Sequence, residues 1–277
     1  MRREQLATVR EIVRHSQETV CRLMAVGSGK GGVGKTNVAI NLSLALVQLG
    51  KKVLLVDADH SLANIDLLLG VTAPNSWQEV MLGEKNLERA LFHYDGGLVV
   101  LPGSTGLSEL YAGQPSPARW LMEQLGPLRR HHDFVILDTA AGLTMEIVEV
   151  LVCTDEVLVV TTPEPTAIND AYALAKVLHH ARPELPWRLL LNMVESRQEA
   201  DEVWERFALV VRHFLGREIA YAGHVIADWS VPQAVKRQRP LLLEYPVAAA
   251  SECIREVARR LVHAPLSAAG GNIQCAI

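Results

Sequence analysis

Gly29-Lys30-Gly31-Gly32-Val33-Gly34-Lys35-Thr36 is the stretch whose reading decides the fold. It satisfies the spacing Gly-x-x-x-x-Gly-Lys-Thr in full, and its surroundings satisfy the rest of that pattern. Residues 23–26 form a short apolar run of strand length, and residues 36–49 read as a helix closed by Gly50, a natural residue just past a helix end. A strand, a glycine loop and a helix in that order turn backbone N–H groups inward around phosphate oxygens. The helix N-terminus adds the positive end of its dipole. Gly29, Gly31, Gly32, Val33 and Gly34 then supply the main-chain cradle, with Asn37 following in the first helical turn. Lys35 balances phosphate charge, and the Thr36 hydroxyl is a ligand for Mg2+, which takes oxygen donors.

Outward from the loop, apolar runs of strand length recur at 53–56, 98–101, 134–137, 157–161, 188–191 and about 219–225. Between them lie helical patterns at 116–130, 166–181 and 196–213, and Ser76-Trp77-Gln78-Glu79 has the form of a capping box opening a short helix. Strands that are apolar throughout and flanked by helices imply an α/β fold. Its sheet is doubly wound and mostly parallel, covered by helices on both faces. One domain over residues 20–264 accounts for this pattern. Residues 1–19 precede it as an amphipathic arm with Leu6, Val9, Ile12 and Val13 on one face, and residues 265–277 follow as a loose, small-residue tail.

Composition sets the boundaries. Of 277 residues, 49 % are apolar and 21 % charged, enough for a large core, and a net charge of −4 argues against indiscriminate nucleic-acid binding. Cys21, Cys153, Cys253 and Cys275 are scattered without a Cys-x-x-Cys pair, a spacing that fits neither a disulfide framework nor a zinc or iron–sulfur site. They are expected to be reduced and packed. The apolar runs fall far short of the roughly 20 residues that span a bilayer, and no signal-type block opens the chain. A cytoplasmic protein is the expectation.

Carboxylates are spaced to serve the loop. Val56-Asp57-Ala58-Asp59 closes the second strand, where side chains emerge at the carboxyl edge of the sheet. Phe134-Val135-Ile136-Leu137-Asp138 is four apolar residues ending in an acid, the Walker B pattern, in which a strand-tip carboxylate reaches Mg2+.

Lys30 is a second lysine inside the loop, and Lys30-Gly31-Gly32-Val33-Gly34-Lys35-Thr36 resembles the deviant Walker A motif of the MinD/ParA (SIMIBI) ATPases. The resemblance implies a slow, dimer-dependent ATPase using ATP and Mg2+, in which Lys30 reaches the partner subunit's nucleotide and two subunits sandwich two ATP molecules. It implies Lys30, Lys35 and Asp59 as catalytic residues, with Asp59 positioning or activating the attacking water. Thr36, Asp57 and Asp138 serve the metal. Leu62-Ala63-Asn64-Ile65-Asp66 resembles switch I, with Asn64 and Asp66 facing the other subunit. Thr139-Ala140-Ala141-Gly142 resembles switch II, with Ala140 where proline is common. Asn192, ending a strand, matches the adenine-contacting asparagine, followed by Met193 where many members have arginine.

Within that family, Thr161-Thr162-Pro163-Glu164-Pro165-Thr166-Ala167-Ile168-Asn169-Asp170-Ala171-Tyr172-Ala173-Leu174-Ala175-Lys176 resembles the flagellar-number regulators of the FlhG/FleN group. Glu4-Gln5-Leu6-Ala7-Thr8-Val9-Arg10 is similar to their Asp-Gln-Ala-x-x-Leu-Arg helix. Contact with an FlhF-like GTPase through residues 4–10, and with flagellar or transcriptional regulators, is what this implies; packing of the arm on its own domain is the alternative. Rival functions are MinD-type cell-division positioning, ParA-type DNA partitioning through Lys236-Arg237-Gln238-Arg239, and an iron-protein reductase, whose paired cysteines this spacing does not provide. Residues 253–262 place Ile254, Val257, Ala258 and Leu261 opposite Arg255, Arg259 and Arg260. Such a helix either lies on an anionic membrane surface or closes the core with a solvated basic face.

Overall fold

A computed structural model describes residues 21–59, 63–73, 75–83, 87–103 and 117–264. The arm at 1–19, with its 4–10 segment, and the tail at 265–277 lie outside the described residues. Eight strands form one sheet: β1 (Arg22–Gly27), β2 (Val53–Ala58), β3 (Phe92–Tyr94), β4 (Leu98–Leu101), β5 (Phe134–Thr139), β6 (Glu156–Thr161), β7 (Trp187–Val194) and β8 (Ala220–Ile226). Their spatial order is β3-β4-β2-β5-β1-β6-β7-β8, parallel throughout except for the antiparallel β3–β4 pair at one edge. The doubly wound reading therefore holds.

Continuous apolar strands require cover on both faces, and β1, β2, β5 and β6 are buried along their whole length. One face packs against the helices Pro117–Arg129, Met145–Val152, Pro165–Ala181 and Arg197–Leu215. The other packs against the helices Lys35–Gln48 and Ala249–His263. At the amino edge Glu156 sits between Arg22 and Arg188, and Arg22 also donates to the Leu261 carbonyl at 2.6 Å, tying the last helix to the sheet.

The order also builds a crevice. The chain leaves β1 for β2, but β5 inserts between them, so the ends of β1, β2 and β5 converge where ligands bind in open α/β sheets. Register makes Asp57 the direct neighbour of Asp138, and Asp138 the neighbour of Val26.

The strands run beyond their apolar runs because their last residues are polar yet still paired: Asp57, Asp138, Thr139 and Asn192 are all buried. The capping box is present, with Ser76 Oγ accepting from the Glu79 amide at 3.3 Å and Glu79 Oε2 accepting from the Ser76 amide at 2.8 Å. Three-residue β3 and the helices Met145–Val152, Ser230–Lys236 and Leu241–Glu244 were not legible beforehand. The last helix closes the core: Ile254, Val257, Ala258 and Leu261 are buried against the sheet layer, while Arg255, Arg259 and Arg260 pair with Glu252 or Glu256. Its apolar face is thus spent inside the protein. In the basic run, Arg237 and Arg239 both pair with Glu244, which mutes that patch.

No described helix is long and apolar enough to cross a membrane. Cys21 and Cys253 are free thiols as expected, whereas Cys153 is disulfide-bonded, which corrects the expectation that it is reduced.

Candidate nucleotide-binding site

The loop between β1 and the helix Lys35–Gln48 takes the conformation its glycines were expected to permit. Gly34 has φ of 83°, a left-handed position, and is the residue from which the helix starts. No side chain caps that helix and its first turn has no acidic residue, so its leading N–H groups keep their positive potential. At the loop's other end Gly29 packs on the backbone of Asp170, where any Cβ would collide. Beside Gly31 and Gly32 there is open space, with nothing within 4 Å of where a side chain would begin.

Lys35 and Asp138 meet inside the crevice. Lys35 Nζ donates to Asp138 Oδ1 at 2.6 Å, with side-chain exposures of 8 % and 2 %. Burial pushes the Asp138 carboxyl above its usual range, opposed by the Lys35 charge and by hydrogen bonds from Lys35 and Thr36. Asp57, its strand neighbour, is pushed up to about 8, first by burial and then by the Asp138 charge, against backbone N–H bonds from Ile65, Asp59 and Asn64. Two adjacent buried carboxylates held this far from easy ionisation form a site that gains from an added cation. Asp59 lies close enough that its charge also acts on Asp138.

This donor set passes a test for Mg2+ with a nucleotide. The Thr36 hydroxyl and the Asp138 carboxyl lie together beside an open glycine cradle, with Asp57 next to them on the neighbouring strand, and among the described residues no cluster of three or more His, Cys, Asp or Glu could cage a metal alone. Mg2+ commonly uses one or two carboxylates and completes its shell with phosphate and water.

Lys30 behaves differently from Lys35. Its Nζ is 2.9 Å from both Glu164 Oε2 and Thr166 Oγ1, at the start of the helix Pro165–Ala181, and its side chain is 37 % exposed. Asn37 occupies the first helical turn, but its Oδ1 accepts from Asn41 at 2.9 Å. Asn64 precedes the helix Ile65–Leu69, with its backbone N–H on Asp57. Asn192 is brought to the loop, where its amide Nδ2 donates to the Val33 carbonyl at 2.8 Å. That bond makes it a strut of the loop. Met193 beside it has φ of 59°, a left-handed conformation that side chains rarely adopt. The 139–142 segment, expected to be switch II, is tied to the loop by the Gly142 N–H donating to the Ser28 carbonyl at 2.9 Å, and Ser28 Oγ donates to the Lys30 carbonyl at 3.0 Å. Ser28 was not singled out from the sequence, and Glu164 and Thr166 entered only within the stretch that resembles the flagellar regulators. Only the Glu-Pro opening of the 165–181 helix was a signal, marking a helix start near the loop.

The profile of the AAA domain matches residues 21–189. The antiactivator FleN of Pseudomonas aeruginosa is 37 % identical over 247 residues, covering 89 % of this chain and 88 % of that protein. The chain belongs to the MinD/ParA ATPase family. Its resemblance within that family is to the flagellar regulators, since the flagellum site-determining protein YlxH of Helicobacter pylori is 33 % identical over 87 % of this chain and 82 % of its own. Among solved structures, the septum site-determining protein MinD of Pyrococcus horikoshii, complexed with Mg-ADP, superposes with a TM-score of 0.73 at 25 % identity, covering 87 % of this chain and 96 % of that one. The MinD/ParA fold expected from the glycine loop is therefore the one observed.

Proposed function

We propose that this MinD/ParA ATPase is an ATP-assembled homodimeric switch that controls flagellar number or placement. The observation that carries the switch is the division of labour between two lysines of one loop. Lys35 is buried on Asp138, whereas Lys30 stands on the outer lip, held by an exposed pair with Glu164. Exposed pairs contribute about 0–1 kcal/mol, so Lys30 can change partners cheaply when a second subunit arrives.

Bound Mg2+-ATP supplies the transferable phosphoryl group and the cation that neutralises its charge. The chain's own residues divide the remaining work. The N–H groups of the glycine loop and the uncapped helix start orient phosphate oxygens. Lys35 offsets their charge, and Thr36 and Asp138 present oxygens to the metal. Asp59, at the tip of the second strand, orients a water and accepts its proton. Lys30 completes the site of the facing subunit. The flagellar role is supported by the kinship with FleN and YlxH. DNA partitioning is less favoured because Glu244 neutralises two of the cations in the basic run.

Analytical ultracentrifugation with Mg2+ and a slowly hydrolysed ATP analogue tests the switch. Lys30→Ala is expected to bind nucleotide as wild type does while remaining monomeric. A Lys30→Ala protein that dimerises normally would remove the cross-subunit role. Removing residues 1–15 should spare basal ATP hydrolysis and end stimulation of an FlhF-like GTPase; undiminished stimulation would detach the arm from this function.

A further inference from the structure

Asp57 ends β2 beside Asp138, and position alone does not separate a metal-facing carboxylate from one that shapes the chain. Its hydrogen bonds do. Oδ1 accepts the backbone N–H of Asp59 at 3.2 Å, and Oδ2 accepts those of Asn64 at 3.0 Å and Ile65 at 3.2 Å. A carboxylate has about four acceptor sites, so three are occupied by main-chain donors, which cannot rotate away as a side chain can. Asp138 differs: its carboxylate accepts from the side chains of Lys35 and Thr36.

The main chain of Asp57 is held just as firmly. The Trp77 indole Nε1 donates to the Asp57 carbonyl at 2.8 Å, and Trp77 is buried and stacked on Trp120 with ring centroids 6.1 Å apart. On another side Gly103 packs so closely that a Cβ there would come 3.1 Å from the same carbonyl oxygen. The body of the protein therefore grips Asp57 by its carbonyl, and Asp57 grips residues 59, 64 and 65 by its carboxylate.

We propose that Asp57 is a positioning residue that sets where Asp59 stands, and that of Thr36, Asp57 and Asp138 only Thr36 and Asp138 meet the metal. This refines the ATPase reading above and rests on it for its kinetic arm alone.

Asp57→Asn keeps the shape of the side chain but loses acceptors for at least one of the two ends it holds. In nucleotide-free protein, amide hydrogen exchange at 59, 64 and 65 should quicken about tenfold, the effect of losing one or two ordinary hydrogen bonds. Asp138→Asn should leave those amides within about twofold of wild type. With Mg2+-ATP, Asp57→Asn should lower kcat by about tenfold or more, while KM and half-saturating Mg2+ stay within about twofold. Asp138→Asn should raise half-saturating Mg2+ by about tenfold. If Asp57→Asn fails to fold, Trp77→Phe removes only the indole N–H from the Asp57 carbonyl and should quicken exchange at the same three amides about threefold. Unchanged exchange at 59, 64 and 65, or a rise in half-saturating Mg2+ in Asp57→Asn matching that in Asp138→Asn, would overturn the proposal. A wild-type chain that hydrolyses no ATP would sink the ATPase reading, while the exchange measurements would still decide this one.

Discussion

Lys35→Ala offers the sharpest test of how the site holds itself together without a ligand. Removing one partner of a buried ion pair costs about 3–5 kcal/mol, because the other charge is left buried alone. Asp138 keeps its hydrogen bond from Thr36 and can escape by taking up a proton, so the lower end, about 3 kcal/mol, is expected. For a chain of this size that is a fall of roughly 6–12 °C in Tm. The assay is urea unfolding without nucleotide or divalent cation, on Lys35→Ala, Asp138→Asn and the double variant, at pH 7.5 and pH 5. Since the two groups share one contact, the double variant should lose less than the sum of the singles. The pH dependence has a definite sign. The Asp138 pKa is raised on folding, so stability is lost as pH rises towards its folded value. Without Lys35 that value is higher still, and the deficit of Lys35→Ala should shrink at pH 5. Additive losses within about 0.5 kcal/mol, or a deficit equal at both pH values, would refute the pairing as the element that stabilises the empty crevice.

Asp59→Ala should bind ATP and dimerise but turn over slowly enough to trap the dimer, visible as a long-lived dimer peak with Mg2+-ATP in size-exclusion chromatography; rapid return to monomer would exclude Asp59 from water activation. Gly34→Ala must place a side chain at φ of 83° and against Asn192 Nδ2, breaking the strut to Val33. A loss of about 2–4 kcal/mol in urea unfolding is expected, and a loss below about 0.5 kcal/mol would contradict the packing described.

How much of this was legible in the sequence follows from which interactions are local. The phosphate loop reads directly because cradling phosphate demands a fixed spacing of glycine and lysine after a strand, and burial on both faces writes the parallel strands as unbroken apolar runs. Asp57 and Asp138 are each recognisable, but their adjacency arises only when β5 enters between β1 and β2, a contact between residues about eighty positions apart. The Trp77 indole reaching the Asp57 carbonyl is hidden for the same reason. Asn192 is recognisable at its strand end, but its bond to the Val33 carbonyl joins residues far apart in the chain and leaves no local pattern. The last helix shows the limit of periodicity: its amphipathic pattern suits a membrane surface and a protein core alike, and only the sheet beneath it decides. Short β3 has only three residues, none of them fully buried, too few to leave a pattern.

The open space beside Gly31 has one more consequence. Its φ is not in the left-handed region and nothing in the chain stands where its side chain would begin, unlike Gly29 and Gly34, which their own surroundings forbid to change. A lone, empty subunit would tolerate alanine at 31. Any cost that alanine at 31 carries must therefore come from what enters the loop, nucleotide or a second subunit, and would be absent from the empty monomer.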